Sequence, residues 1–408
     1  MRHARLAVAA ILIAATLATP AAAAGLEPRP FLDDLAFPTN MAFLPDGTLL
    51  FTEKETGNVR VVAPDGRLVD QPFITLPVIG DAERGLLGIA VHPDFERDPW
   101  VYLYRSDPRD GLNRLVRVRA AGPVAEGQPE TLLDGISAVA GYHNGGDLAF
   151  GADGSLFVAL GEAHEADRAQ DETDIGGKIA RLTAAGDVPP DNPFGPDNPV
   201  WSIGHRNSFG LCVDPATGTL WETENGPDVD DEVNVIEPGG NYGWPAVTGI
   251  SDEDEFIDPL LVFRDTIALT GCAVAGGDLW FGSFDGRLWR VPASADAAVD
   301  AEEIARFPAG VTDVLLGPDD ALYVATADSI WTLRLEGTSG STPTPTPTPA
   351  RPDSPSATPS PQVVATADDG NALRPWIAVA ALAALAGALG ARFVAGRRLR
   401  QGDPGDDR

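Results

Sequence analysis

The sequence predicts an all-β chain folded as a six-bladed β-propeller, and two observations predict it. First, apolar residues alternate with period two on both sides of a tight turn in six places. These are MAFLPDGTLLFTE from Met41, GIAVHPDFERDPWVYLYRS from Gly88, DLAFGADGSLFVALGE from Asp147, GLCVDPATGTLWETE from Gly210, GCAVAGGDLWFGSFDGRLWRV from Gly271 and DVLLGPDDALYVAT from Asp313. Second, the aspartates that mark the turns, Asp46, Asp94, Asp153, Asp214, Asp278 and Asp319, stand 48, 59, 61, 64 and 41 residues apart. Those intervals suit four-stranded blades with insertions, and six such units close into a ring. A β-sandwich, the competing all-β architecture, has no need of six similar units. The 44 glycines and 36 prolines, with 44% hydrophobic residues, agree with a turn-rich chain that has ample core.

The propeller is expected over 28–337, between ends of different composition. The opening MRHARLAVAAILIAATLATPAAAAG has a basic head, an apolar run and an A-x-A-like ending, so residues 1–24 read as a secretory signal peptide. Residues 338–370 are rich in Pro, Thr and Ser and read as an extended linker that cannot form a core. Residues 373–395 contain an uncharged run from Pro375 to Ala391 and read as a transmembrane helix; Arg397, Arg398 and Arg400 then place 396–408 in the cytoplasm. The expected arrangement is a domain secreted across the membrane and held outside the cell by a C-terminal anchor. Cys212 and Cys272 occupy comparable positions in neighbouring units, and either a disulfide or two buried thiols would suit them.

The formal net charge of −31 leaves no basic stripe to neutralise phosphates and excludes nucleic acid as a partner. The densest acidic run lies between Glu222 and Glu232, six carboxylates around Gly226-Pro227, flanked by Trp221, Tyr242 and Trp244. Such a run is either a solvated surface loop or a site for a hard cation; calcium mixes carboxylates with backbone carbonyls, which a Gly-Pro turn can aim. On a propeller, loops that precede successive inner strands converge on one basin. Glu83, His143, Arg206 and Asn207 stand before the inner strands of the second, third and fourth units and are expected to be neighbours. His92 and His164 read as surface or packing residues, His205 as a support for its neighbours, and Arg206 has Glu222 and Glu224 as alternative ion-pair partners.

GLLGIAVHPDF, HNGGDLAFGADGSLFVALGE, GGKIARL, GHRNSFGL, ENGPDVDDEVN and GGNYGWP resemble, in order, the motifs of soluble pyrroloquinoline quinone (PQQ)-dependent glucose and aldose sugar dehydrogenases, extending to sorbosone dehydrogenase-like proteins. The resemblance runs from about Phe37 to about Leu335. It implies a sugar substrate, an external electron acceptor, and PQQ with calcium as cofactors. It makes His143 the base that takes a proton from the anomeric hydroxyl, an apt role for an imidazole neutral near pH 7. Glu162 stands where the family has an aspartate that orients this histidine. Arg206 and Asn207 would bind the quinone, Glu83 would lie near the substrate and cofactor, and the Gly226 and Pro227 carbonyls would hold calcium. Thr248, Ile250 and Asp252 match part of a second calcium site.

Two departures accompany these matches. Asp285, in FGSFDGRLWR, stands near where the family has a lysine, and no arginine lies between Val311 and Val314, where the family has arginines. Those cations hold the cofactor's carboxylates; Arg287, Arg290 and Arg306 are the nearest substitutes in sequence. Three functions follow: a quinone-dependent sugar dehydrogenase, a quinone-free calcium-binding propeller that binds sugars at the cell surface, and a calcium-dependent lactonase-like hydrolase.

Overall fold

In the computed structural model, residues 26–251, 253–293 and 300–335 are described. The expected signal segment, linker, membrane helix and tail lie outside the described residues, as do the last two residues of the expected propeller. Among the described residues, no helix is long and apolar enough to cross a membrane.

The alternating segments pair as expected. Among the described residues the strands form six four-stranded antiparallel sheets, at 38–75, 86–137, 145–203, 208–263, 269–306 and 311–334. The fourth strand of the last sheet comes from the other end of the domain: Arg29–Leu32 pairs with Ile330–Arg334 and closes the ring. Successive inner strands touch one another around the circle, the last meeting the first. The chain is therefore a six-bladed β-propeller. One expected turn falls elsewhere: Asp278 opens the strand Asp278–Ser283, and the turn before it is made by Gly276 and Gly277, both at positive φ.

Each seam between blades holds one apolar cluster, because both faces of every blade are covered. Leu50 and Val59 of the first blade pack with Ile89 and Leu103 of the second, and Leu49 and Phe51 pack with Ala325 and Ile330 of the sixth. Cys212 and Cys272 form a disulfide, resolving the two alternatives, and it joins the inner strands Ser208–Val213 and Leu269–Ala275 of adjacent blades.

Two features of the inner strands position the site. In all six blades the inner strand carries a β-bulge or register shift near its beginning, at Pro38/Met41, Leu86/Gly88, Gly145/Leu148, Ser208/Gly210, Leu269/Cys272 and Val311/Asp313. A bulge re-aims side chains, and the residues inside these shifts, among them Thr39, Asn40, Leu87, Asp147, Phe209, Thr270 and Thr312, line the basin on the axis. Just below, three side chains brace the hub. Asn40 Oδ1 accepts from Ile89 N (3.0 Å), Asp147 Oδ2 from Leu211 N (2.7 Å) and Asp313 Oδ2 from Met41 N (2.8 Å), each reaching the next blade. The second, fourth and fifth blades have glycine at this position; a Cβ at Gly271 would lie 2.2 Å from Asp313 Oδ1 and one at Gly88 2.0 Å from Gly146 O.

Candidate active site

The loops of one face enclose an axial cavity of about 730 Å³. Its lining includes Glu83, His143, Arg206, Asn207, Gly226 and Pro227, residues that span well over a hundred positions of sequence.

His143 sits in the loop before the third inner strand with φ of 54°, a left-handed conformation that aims its ring. The turn depends on Gly161, where a Cβ would lie 2.1 Å from His143 O. Glu162 reaches the ring despite its longer side chain: Oε1 lies 2.7 Å from His143 Nδ1. Nδ1 is thereby occupied, and Nε2 has no hydrogen-bond partner among the described residues. Burial, reinforced by the nearby Arg206, lowers the imidazole pKa to about 2, so the ring is neutral across the physiological range. Burial raises the pKa of Glu162 itself, against the nearby Arg206.

Glu83 holds the set together. Its Oε2 accepts from His143 N at 2.7 Å and from Asn207 Nδ2 at 3.3 Å, and burial raises its pKa against those donors. Asn207 Oδ1 in turn accepts from Gly145 N at 3.4 Å. The Arg206 guanidinium pairs with neither Glu222 nor Glu224. Its Nη1 donates to the Asn225 and Gly226 carbonyls, both at 2.9 Å, and the group lies 5.4 Å from the Trp244 ring centroid.

The acidic run proves to be buried, with Asp228 exposed, and most of its charge is met inside the protein. Asp231 accepts from the backbone of Gly226, Ile267 and Ala268 at 2.9, 2.7 and 2.7 Å. Asp230 pairs with Arg264 at 2.8 Å. His205, read as a support, is a buried cation: Nδ1 lies 3.0 Å from Glu222 and 3.2 Å from Glu224, and Nε2 is 2.8 Å from Ser202 Oγ. Burial alone would lower its pKa, but the two carboxylates raise it to about 10. For the second expected cation site, Thr248 donates to Asp230 at 3.1 Å, the Ile250 side chain is exposed, and Asp252 lies outside the described residues.

The wall formed by the fifth and sixth blades is neutral. Thr266, Ala268, Thr270, Phe284 and Thr312 line it, and the Thr270 and Thr312 hydroxyls are buried without a partner. Asp285 is tied to Arg287 and Ser283. None of the three sequence substitutes reaches the basin: Arg287 is held by Asp285, Arg290 by Glu302 and Arg306 by Glu303. Sequence reasoning missed His164, which stacks on His143 at 4.0 Å between ring centroids, and Lys54. A signal for both existed, because turns joining the second and third strands of a blade open on the same face as the loops between blades.

An imidazole held by a carboxylate beside a buried guanidinium, all facing one axial cavity, makes this a β-propeller with a candidate active site on its axis. The family model described as glucose / sorbosone dehydrogenase matches residues 35–333, and the chain belongs to that family, a family of oxidoreductases. Aldose sugar dehydrogenase YliI of Escherichia coli K12 is 31% identical over 360 residues, 78% of this chain and 94% of its own. Among solved structures, an oxidoreductase (glucose dehydrogenase) of Thermus thermophilus is 38% identical, with a TM-score of 0.71 over 76% of this chain and all of its own. The PQQ-bound aldose sugar dehydrogenase of Streptomyces coelicolor is 33% identical, with a TM-score of 0.68 over 76% of this chain and 98% of its own.

Proposed function

We propose that the chain oxidises an aldose sugar to its lactone, with pyrroloquinoline quinone and calcium in the axial basin and His143 as the base. The observation that carries this reading is the 2.7 Å contact between Glu162 and His143 Nδ1, which leaves Nε2 free on the wall of a cavity that also presents Arg206.

The residues present fit a bound polar group and a hard cation. Thr270 Oγ1, Thr312 Oγ1 and Asn225 Oδ1 are buried polar atoms without partners around the same cavity, and a polar ligand would satisfy them. Asn225 Oδ1 and the Pro227 carbonyl, with the remaining lone pair of the Gly226 carbonyl that also accepts from Arg206, would offer oxygens to calcium, and Arg206 with Asn207 would hold the quinone. When bound, the quinone supplies the hydride acceptor and calcium the Lewis acid that polarises it.

The protein's own residues handle the proton. Nε2 of the neutral imidazole takes it from the anomeric hydroxyl, and Glu162 fixes the tautomer and stabilises the imidazolium that forms. Arg206 is placed to stabilise negative charge that develops in the basin. Leu87, Phe209 and Phe284 give the cavity apolar surface that excludes water.

A second reading, a quinone-free sugar-binding propeller, is favoured by one observation: threonines stand on the wall where the family places cations. Reconstituting the purified domain with calcium and PQQ and following dye reduction with a panel of aldoses separates the two. Turnover establishes the dehydrogenase; saturable sugar binding without quinone binding establishes the other. We place the working domain outside the cytoplasm, anchored by the C-terminal apolar segment and passing electrons to an external acceptor. The disulfide supports an oxidising compartment, and protease accessibility on intact cells tests the placement.

A further inference from the structure

Lys54 is the single lysine lining the basin among the described residues, and the site already described leaves it without a role. It follows the strand Leu49–Glu53, as Asn225 follows Leu220–Glu224 and Phe284 follows Asp278–Ser283. All three are pinned alike, each amide donating to the loop before its own inner strand: Lys54 to Phe37 O (3.0 Å), Asn225 to Asn207 O (3.2 Å) and Phe284 to Ala268 O (2.8 Å). Blades 1 and 4 are opposite in a ring of six, so Lys54 faces the Asn225–Arg206 wall across the cavity.

The position is built. A Cβ on Gly85 would lie 2.4 Å from Lys54 O and 2.6 Å from Lys54 Cγ, so the bare glycine makes room for the lysine stem. The side chain is buried, and its ammonium has one hydrogen bond and one longer ion pair, which leaves donor capacity unused. Nζ donates to Gly80 O at 2.9 Å and has Glu55 at 3.8 Å, beyond hydrogen-bond range, while a third proton has the Phe37 ring, centroid 5.5 Å away, as its neighbour. Burial lowers its pKa, against Glu55, Asp81 and Glu83. Of the nearby carboxylates, Glu55 pairs with Lys54 itself, whereas Asp81 pairs with Arg84 at 2.5 Å and Glu83 accepts from His143 and Asn207.

We propose that Lys54 receives a carboxylate of the quinone, in place of the cations that the fifth and sixth blades lack. The inference rests on the quinone reading above. A buried ammonium with spare donor capacity gains from an anion that arrives desolvated, and Lys54 and Arg206 are the lysine and arginine lining this cavity. A sugar acid could offer the same carboxylate, so the test separates the two sources.

The dissociation constant of PQQ is measured by tryptophan quenching without sugar, for wild type, Lys54→Met and Lys54→Arg, and again with the trimethyl ester of PQQ. We expect Lys54→Met to weaken the free acid at least tenfold and the ester less than threefold, with Lys54→Arg within about threefold of wild type. Thermal midpoints of the unliganded variants check folding, and Lys54→Arg supplies the comparison if Lys54→Met does not fold. Equal affinity in wild type and Lys54→Met overturns the assignment, as does an equal loss for acid and ester. An unchanged quinone affinity with a raised KM for a hexuronic acid, but not for a neutral hexose, moves the carboxylate to the substrate and also overturns it. If wild type binds no quinone, the functional reading itself falls, an outcome distinct from the others.

Discussion

The wall made by the third and fourth blades and the wall made by the fifth and sixth enclose one basin with opposite chemistry. On the first, His143, Glu162, Arg206 and Asn207 are tied to one another or to neighbouring backbone before any ligand arrives. On the second, the Thr270 and Thr312 hydroxyls have no partner among the described residues. One wall is preorganised and the other waits. Groups that act on a reacting bond must be fixed in advance, whereas groups that merely hold a ligand can be satisfied on its arrival.

The largest expected effect breaks the first wall. His143→Gln should lower kcat about a thousandfold while leaving quinone affinity within a few-fold of wild type, because the variant removes the proton acceptor but keeps a polar side chain. Steady-state kinetics paired with quinone titration checks this; an equal loss in both would make His143 a structural residue. Since burial keeps this imidazole neutral far below its ordinary pKa, the kcat/KM profile should show no acid limb near pH 6.5.

The seam between the two walls carries the disulfide, and here sequence and structure differ in what they reveal. The cysteines stand at comparable repeat positions, but whether two thiols pair depends on the distance between neighbouring blades, and the ring sets that at 5.7 Å between Cα atoms. Period-two alternation and turn spacing made the blades legible because they are local. Motif order made His143, Arg206 and Asn207 legible for the same reason. The turns between second and third strands put Lys54 and His164 on the right face, but their roles, like the charge on His205, come from residues on another strand or loop: Gly80 for Lys54, His143 for His164, Glu222 and Glu224 for His205. Replacing both cysteines with serine should cost up to about 4 kcal/mol from the lost cross-link over a 60-residue separation. Equilibrium denaturation measures it, and because the bond sits at the seam, quinone affinity should fall with stability if the two walls must be held in register.

A smaller effect tests what underlies the preorganised wall. His205 has a folded-state pKa of about 10, above its ordinary 6.5, so the stability it contributes is present in full below about pH 6.5 and is lost as pH rises through 10. The wild-type thermal midpoint should therefore fall between pH 7 and 10 more steeply than that of His205→Gln. Parallel curves would show that Glu222 and Glu224 are neutralised by another cation or by their own protons.

The smallest expected effect belongs to the waiting wall and has two signs. Thr270→Val and Thr312→Val replace hydroxyls that have no hydrogen-bond partner by methyl groups of nearly the same shape. Removing a buried, unsatisfied hydroxyl relieves part of its desolvation cost, so the unliganded double variant should gain about 1 kcal/mol of stability. If those hydroxyls are the wall's donors to the ligand, the same change should weaken quinone binding several-fold. Stability and affinity then move in opposite directions, which neither a packing defect nor a bystander pair of threonines produces. A variant that loses stability and keeps its affinity would show that the hydroxyls serve the fold, and the contrast between the two walls would lose its functional meaning.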